Sequence, residues 1–332
     1  MAKAAKYRVL IVGCGQLGSR HLQAVASLPL VREVELVDPR PEGLELGRER
    51  LAQISNLQPS ITFRWLSSLE EATPSGDLCI VATQADIRCQ VVHQVVDQLK
   101  YSNFLLEKLV AQSTSEYLGL LQFSQENSLR VWVNCKARAH FSHQRAKSKL
   151  DPAEPITFSH IGGNHGLANN GIHAADLFVF YDGTDHIEAA GANIDPILHS
   201  TKRGSDIYDL SGTLYGSSEK GSPFILSFAA SHTGPAHFSI TSPRYRAFID
   251  DMSKLFYEST LENDWAWRQV PFDANLMVSH MTRSFAADIL QLGTCELPTL
   301  EECFPAHQYI LNSLRPCFNQ LLSTKDERCP VT

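Results

Sequence analysis

Gly13, Gly15 and Gly18, in the order Gly13-Cys14-Gly15-Gln16-Leu17-Gly18, carry the clearest chemical signal in the chain. An apolar run at 9–12 leads into them and a helical pattern leads out. In that strand–turn–helix setting, G-x-G-x-x-G points to a dinucleotide site. Gly13 permits the tight turn, Gly15 lets the backbone approach a pyrophosphate, and Gly18 lets helix and strand pack closely. The helix N-terminus then offers unpaired N–H groups and a positive dipole end to phosphate. Gln16 and Leu17 complete the expected cofactor contacts in the turn. A second strand pattern, 34–37, ends at Asp38, 20 residues past Gly18. A carboxylate there can accept the adenosine ribose hydroxyls and repel a 2′-phosphate, which favours NAD. Arg40 offers that phosphate a partner instead, so NADP is the alternative. The plain reading of the same residues is a βα turn that binds nothing.

These residues need elements to hold them. Strand patterns at 8–12, 34–37, 61–65, 78–82, 104–106 and 130–134 alternate with helical patterns near 16–28, 42–55, 86–100 and 113–127. That alternation predicts an α/β fold, with a doubly wound parallel Rossmann sheet. Ligands of such sheets gather beyond the carboxyl ends of the strands. The residues placed there are Asp38 and Arg40, Thr83 and Gln84, Glu107 and Lys108, and 135–138.

The pattern changes at the turn-rich Asp151-Pro152-Ala153-Glu154-Pro155. Short strand patterns follow at 156–161, 188–194, 206–215, 224–230, 236–241, 245–249 and 254–257, with one helix at 171–181 and two closing helices at 274–292 and 300–322. Short links between strands predict an α+β domain with a large, mostly antiparallel sheet. We therefore expect a dinucleotide domain at 1–135 and a substrate and oligomerisation domain at 136–332, the last helices being free to pack back on the first. A broad sheet face suggests a homodimer or homotetramer.

The formal net charge of −7 argues against a nucleic-acid partner. No apolar run approaches membrane-spanning length, so no membrane association is expected. The first residues do not read as a secretory signal, and the eight cysteines contain no C-x-x-C pair. They read as reduced thiols in a cytoplasmic protein.

With these residues in place, the chain resembles the Gfo/Idh/MocA oxidoreductases, which include proteins like glucose–fructose oxidoreductase and inositol dehydrogenase. The resemblance rests on four stretches that span most of the chain: GCGQLGSRH with His21; IVATQAD at the end of the fourth strand; Leu106-Glu107-Lys108-Leu109, similar to the family's EKP motif; and GLANNGIHAADLF, similar to its D-x-G-x-H helix. It implies a nicotinamide cofactor and hydride exchange with a secondary alcohol or ketone of a sugar, cyclitol or sugar derivative. It implies that Lys108 orients substrate beside the nicotinamide and that His173 relays the hydroxyl proton. It also admits a NAD(P)-binding regulator that does no chemistry, and a glycoside-cleaving enzyme in which bound NAD is oxidant and then reductant. Three residues depart from the family pattern. Leu109 replaces the motif proline, Arg88 stands where many members have histidine, and Asn169 occupies the usual aspartate position before His173. A neutral amide there predicts a lower pKa for His173 than an aspartate would give.

Around these two residues the substrate contacts are expected from the polar, glycine-rich loop 162–171, namely Asn164, His165, Asn169 and Asn170, which suits a polyhydroxylated ligand. Asn169 or Asn170 equally suits a helix cap. Lys136 and Arg138 suit an anionic substrate group or a solvated basic stretch. His160, His165 and His173 fit no familiar metal-ligand spacing, and no metal is expected.

Overall fold

The computed structural model describes residues 6–55, 57, 60–163, 166–202, 204–272 and 276–332. In chain order the elements are β1 (Tyr7–Val12), α1 (Gly18–Ala26), β2 (Val31–Val37), α2 (Pro41–Leu51), β3 (Thr62–Leu66), β4 (Leu78–Val81), α3 (Ala85–Gln94), β5 (Asn103–Leu106), α4 (Thr114–Glu126) and β6 (Arg130–Val133). There follow α5 (Phe141–Lys147), β7 (Thr157–Gly163), α6 (Gly171–Asp182), β8 (Glu188–Ile194), β9 (His199–Thr201), β10 (Gly204–Asp209), β11 (Gly212–Ser217) and β12 (Pro223–Ala229). The last elements are β13 (His237–Thr241), β14 (Tyr245–Asp250), β15 (Leu255–Thr260), β16 (Arg268–Gln269), α7 (Val278–Leu292) and α8 (Leu300–Leu322).

They fall into two compact units. The first comprises Met1–Ala111, Glu116–Asn134 and Asn275–Leu300; the second comprises Gln112–Ser115, Cys135–Ala274 and Glu301–Thr332. In unit 1 six strands pair in parallel in the order β3-β2-β1-β4-β5-β6. This is the doubly wound arrangement, and its order reverses between β1 and β4, where such sheets bind their ligands. The central strands are apolar because both faces are covered: Val9, Leu10, Ile11 and all four residues of β4 are buried. Helix α7 returns to this unit, where Thr282 Oγ1 lies 2.9 Å from His21 Nδ1 of α1.

Unit 2 is built on an eight-stranded sheet, β16-β15-β14-β13-β7-β12-β11-β8, antiparallel except for the β7–β12 pair. Its inner face packs on α6, which is apolar almost all round and correspondingly buried. Phe178 of α6 stacks on Phe224 of β12 at 4.9 Å between ring centres. The α/β class and the two sheets expected from the sequence are present.

Some elements differ from the sequence reading. The pattern at 206–215 is two strands, β10 and β11, in different sheets. The chain breaks at Gly212, whose φ of +122° and close approach to Asn193 O exclude any side chain. Helix α5 and the short strands β9 and β16 were not expected. Helix α7 begins at Val278, and 273–275 lie outside the described residues. No helix among the described residues is long and apolar enough to cross a membrane.

Candidate functional site

The three glycines of the turn do three different jobs. Gly13 has φ +89°, and a Cβ there would lie 2.8 Å from Thr83 N. A Cβ on Gly18 would lie 1.7 Å from Gly13 O, so the first turn of α1 rests directly on the turn backbone. Gly15 is different: a Cβ there would meet only Arg40 Nη2, at 3.8 Å. The protein's own packing therefore demands glycine at 13 and 18 but leaves room above 15. The turn is braced from α2 by Arg50, whose Nη1 donates to Ser19 Oγ at 2.6 Å, while Ser19 Oγ donates to Gly15 O at 2.6 Å. Leu17 precedes α1 and no side chain caps its N-terminus. That end keeps donors and a positive dipole end for an anion.

Asp38 is buried at the end of β2. It accepts from Cys14 N at 2.8 Å, from Arg40 N at 3.0 Å, and from Arg40 Nε and Nη2 at 3.1 Å. Burial alone would raise this carboxyl, but the hydrogen bonds from Arg40 and Cys14 hold it below its ordinary value. Gly43 makes room for it, since a Cβ there would sit 2.5 Å from Asp38 Oδ2. The exposed Arg40 therefore lies between Asp38 and Gly15, with its fork fixed on one side and solvent on the other.

At the neighbouring strand ends, Thr83 follows β4, and its buried Oγ1 has no partner among the described residues. Glu107 follows β5 and is buried. His21 Nε2 lies 2.8 Å from its Oε1, and Asn134 Nδ2 donates to the same oxygen at 2.6 Å. Burial opposes ionisation of Glu107, but His21, Asn134 and the Lys108 charge hold it down to about 2. Glu107 thus anchors the segment that carries Lys108, itself mostly buried. The Lys108–Leu109 peptide is cis. The buried guanidinium of Arg88, from α3, donates to both Leu109 O and Thr83 O and ties the ends of β4 and β5 together. Gln84, half-buried, precedes α3.

In unit 2, α6 starts at Gly171, where a Cβ would lie 2.9 Å from Leu226 Cδ2. The preceding turn is fixed by Asp209, whose Oδ1 accepts from Ala168 N at 2.9 Å, Leu210 N at 2.8 Å and Asn169 N at 3.3 Å. The Asn169 side chain is buried; its Nδ2 donates to Tyr208 O at 2.8 Å and its Oδ1 accepts from Thr332 N at 2.7 Å. Asn170 is exposed at the head of α6 and makes no side-chain cap. His173 is half-buried in the first turn. Asn164 and His165 lie outside the described residues.

Arg138 turns into the protein. Its Nε and Nη2 donate to the two oxygens of buried Asp176, both at 2.7 Å. Burial would lower the guanidinium, but the Asp176 charge pushes it up. Lys136 is half-buried. The sequence singled out the glycine turn, Asp38 and Lys108. It did not reveal the His21–Glu107–Asn134 anchor, the Arg88 tie or the Asp209 clamp. The advance signals were His21 in the GCGQLGSRH stretch, Glu107 in the EKP-like stretch and Arg88 as a departure from the family pattern, none of which showed how they pair.

No protein-family model matches the sequence, and no curated protein matches it significantly. Solved structures do. An oxidoreductase from Agrobacterium radiobacter, in complex with NAD+, L-tartaric acid and magnesium, is 13% identical with a TM-score of 0.74, over 92% of this chain and 94% of that one. UDP-N-acetylglucosamine 3-dehydrogenase from Acidithiobacillus ferrooxidans is 16% identical with a TM-score of 0.68, over 96% of each chain. The transcriptional regulator Gal80p from Kluyveromyces lactis is 15% identical with a TM-score of 0.72, over 96% of this chain and 91% of that one. The chain has the fold of the Gfo/Idh/MocA-type oxidoreductases.

Proposed function

We propose that the protein is a NAD(P)-dependent oxidoreductase that moves a hydride between nicotinamide and a secondary alcohol or ketone of a sugar, cyclitol or sugar derivative. The observation that carries this reading is the open position above Gly15, between two glycines that packing alone requires. A turn serving only the fold has no need of glycine there. The bare Thr83 hydroxyl and the uncapped α1 are further groups that suit a dinucleotide. Gly13, Gly15, Gln16, Leu17 and Gly18 would hold the pyrophosphate. Asp38 and Arg40 would meet the adenosine ribose, with Thr83, Gln84, Glu107 and Lys108 toward the nicotinamide. Once bound, the nicotinamide supplies the hydride acceptor or donor.

The rest is the work of the chain. Lys108, anchored through Glu107, orients a hydroxyl by donating to it and exchanges its proton. His173 is the second proton-handling group, with Asn170, Asn164 and His165 as polar contacts to the substrate. Because Arg138 and Asn169 are engaged inside unit 2, we assign them to holding the head of α6. We assign Lys136 as the cationic contact. The structures of relatives bound to tartaric acid and acting on a nucleotide sugar support a polar, hydroxylated substrate.

A second reading, dinucleotide binding without chemistry, draws on Asn169 in place of an acid and on the likeness to a regulator. One experiment separates the two. Purified protein is assayed for bound dinucleotide, then screened with sugars and cyclitols for change in reduced-nicotinamide absorbance. Turnover is expected, and Lys108→Ala should lower it by about 10²–10⁴-fold at saturating dinucleotide. Binding without turnover on any substrate favours the regulator. We also propose a homo-oligomer, because Ile161, Ile225 and Tyr215 are exposed together on the outer face of the unit 2 sheet. Light scattering that gives the monomer mass would refute it.

A further inference from the structure

We propose that His140, His143 and Asp251 form a binding site for one divalent transition-metal cation with the ligand preferences of zinc. The site lies within unit 2 and is independent of the nicotinamide reading. His140 precedes α5 and His143 lies in its first turn, while Asp251 follows β14. His140 Nδ1 lies 3.2 Å from Asp251 Oδ2, and His143 Nε2 lies 3.0 Å from the same atom. All three ligand atoms fall within 4.8 Å of one another. A cation with bonds of about 2.0–2.1 Å and near-tetrahedral angles holds its ligand atoms about 3.1–3.4 Å apart. The three groups thus already stand at nearly the spacing of a chelate.

The surroundings support a chelate over a structural hydrogen-bond network. Two imidazoles converge on one carboxylate oxygen, and the other ring nitrogen of His140, Nε2, is buried with no partner among the described residues. Two neighbouring hydroxyls are placed as the outer partners of metal ligands are. Tyr181 Oη lies 2.6 Å from His143 Nδ1, and Ser142 Oγ donates to Asp251 Oδ1 at 3.0 Å. The His140 and His143 side chains are 4% and 0% exposed, but Asp251 is 13% exposed, which leaves a way in and room for a water as fourth ligand. The other such cluster among the described residues, Cys135, Asp176 and Cys303, lacks these properties. Its carboxylate is bound on both oxygens by Arg138, and burial holds the Cys303 thiol protonated.

The test uses the full chain, stripped with a chelator and titrated with Co2+ and then Zn2+. One Co2+ per chain is expected, giving visible d–d bands that Zn2+ abolishes, together with a rise in Tm. Asp251→Asn, which keeps the size and shape of the side chain, should weaken Zn2+ by about 100-fold or more, and Tyr181→Phe by about 10-fold. A cobalt–thiolate charge-transfer band would overturn the proposal, as would the absence of d–d bands. Unchanged Zn2+ affinity in folded Asp251→Asn would do the same. The cobalt spectrum of the wild type decides even if a variant fails to fold.

Discussion

The glycine turn of unit 1 and the head of α6 in unit 2 are both small-residue turns that feed a helix, yet they are built in opposite ways. At the glycine turn the backbone is cramped at Gly13 and Gly18 and open at Gly15, with the Thr83 hydroxyl bare beside it. At the head of α6 the polar groups are consumed. Asp209 clamps three amides, Asn169 bridges Tyr208 and Thr332, and Gly171 sits against Leu226. The first turn keeps groups for something outside the protein. The second is a rigid mount at whose head Asn170 is exposed. Glycine alone does not mark a binding site; glycine that packing does not require does.

The largest effect should follow from filling a glycine that packing does require. Gly18→Ala places a methyl inside the van der Waals distance of Gly13 O. It should cost about 5 kcal/mol or more, enough to unfold unit 1. An unfolding free energy from urea titration within about 0.5 kcal/mol of wild type would remove the contrast between the two kinds of glycine.

Acid should separate the two units next. Burial pushes His160 of unit 2 down to about 3 from an ordinary 6.5. The unfolded chain then takes a proton that the folded chain refuses. Stability falls as the pH drops below 6.5 and stops falling near 3, by about 5 kcal/mol in all. Glu107 of unit 1 is shifted in the same direction, but it is an acid and its ionised form is the one the fold favours. Its contribution is present above 4.5 and is lost as the pH falls toward 2, about 3 kcal/mol. Trp65 and Trp132 lie in unit 1, and Trp265 and Trp267 in unit 2. Fluorescence of variants that keep one pair should show unit 2 responding at higher pH. Unit 1 responding first would break the comparison.

Much of this architecture was legible in the sequence, for physical reasons that also mark where reading fails. The central strands of unit 1, β1 and β4, are covered on both faces, so each reads as an apolar run, and turn glycines separate β1 from the next helix. In unit 2 what reads as one strand is broken at Gly212, and only the positive φ reveals it. Helix α5 was hidden because it has no side-chain cap and its sequence, FSHQRAK, reads as a solvated basic stretch. The polar anchors were the least legible. His21 meets Glu107 86 positions away, Arg138 meets Asp176 38 away, and His143 meets Asp251 108 away. No local periodicity encodes such meetings. Arg138 illustrates the difficulty: its charge suggested an anion contact, and only the fold supplied the buried carboxylate it binds.

The most direct test of the account is dinucleotide affinity against stability in Gly15→Ala. The added methyl meets nothing closer than Arg40 Nη2 at 3.8 Å in the protein itself, but it occupies the place assigned to the pyrophosphate. The account predicts that the wild type binds NAD(H) or NADP(H). It predicts that Gly15→Ala keeps its unfolding free energy within about 0.5 kcal/mol and loses about 10-fold or more in affinity. Equal affinity in a folded Gly15→Ala, or no dinucleotide binding by the folded wild type, would contradict it.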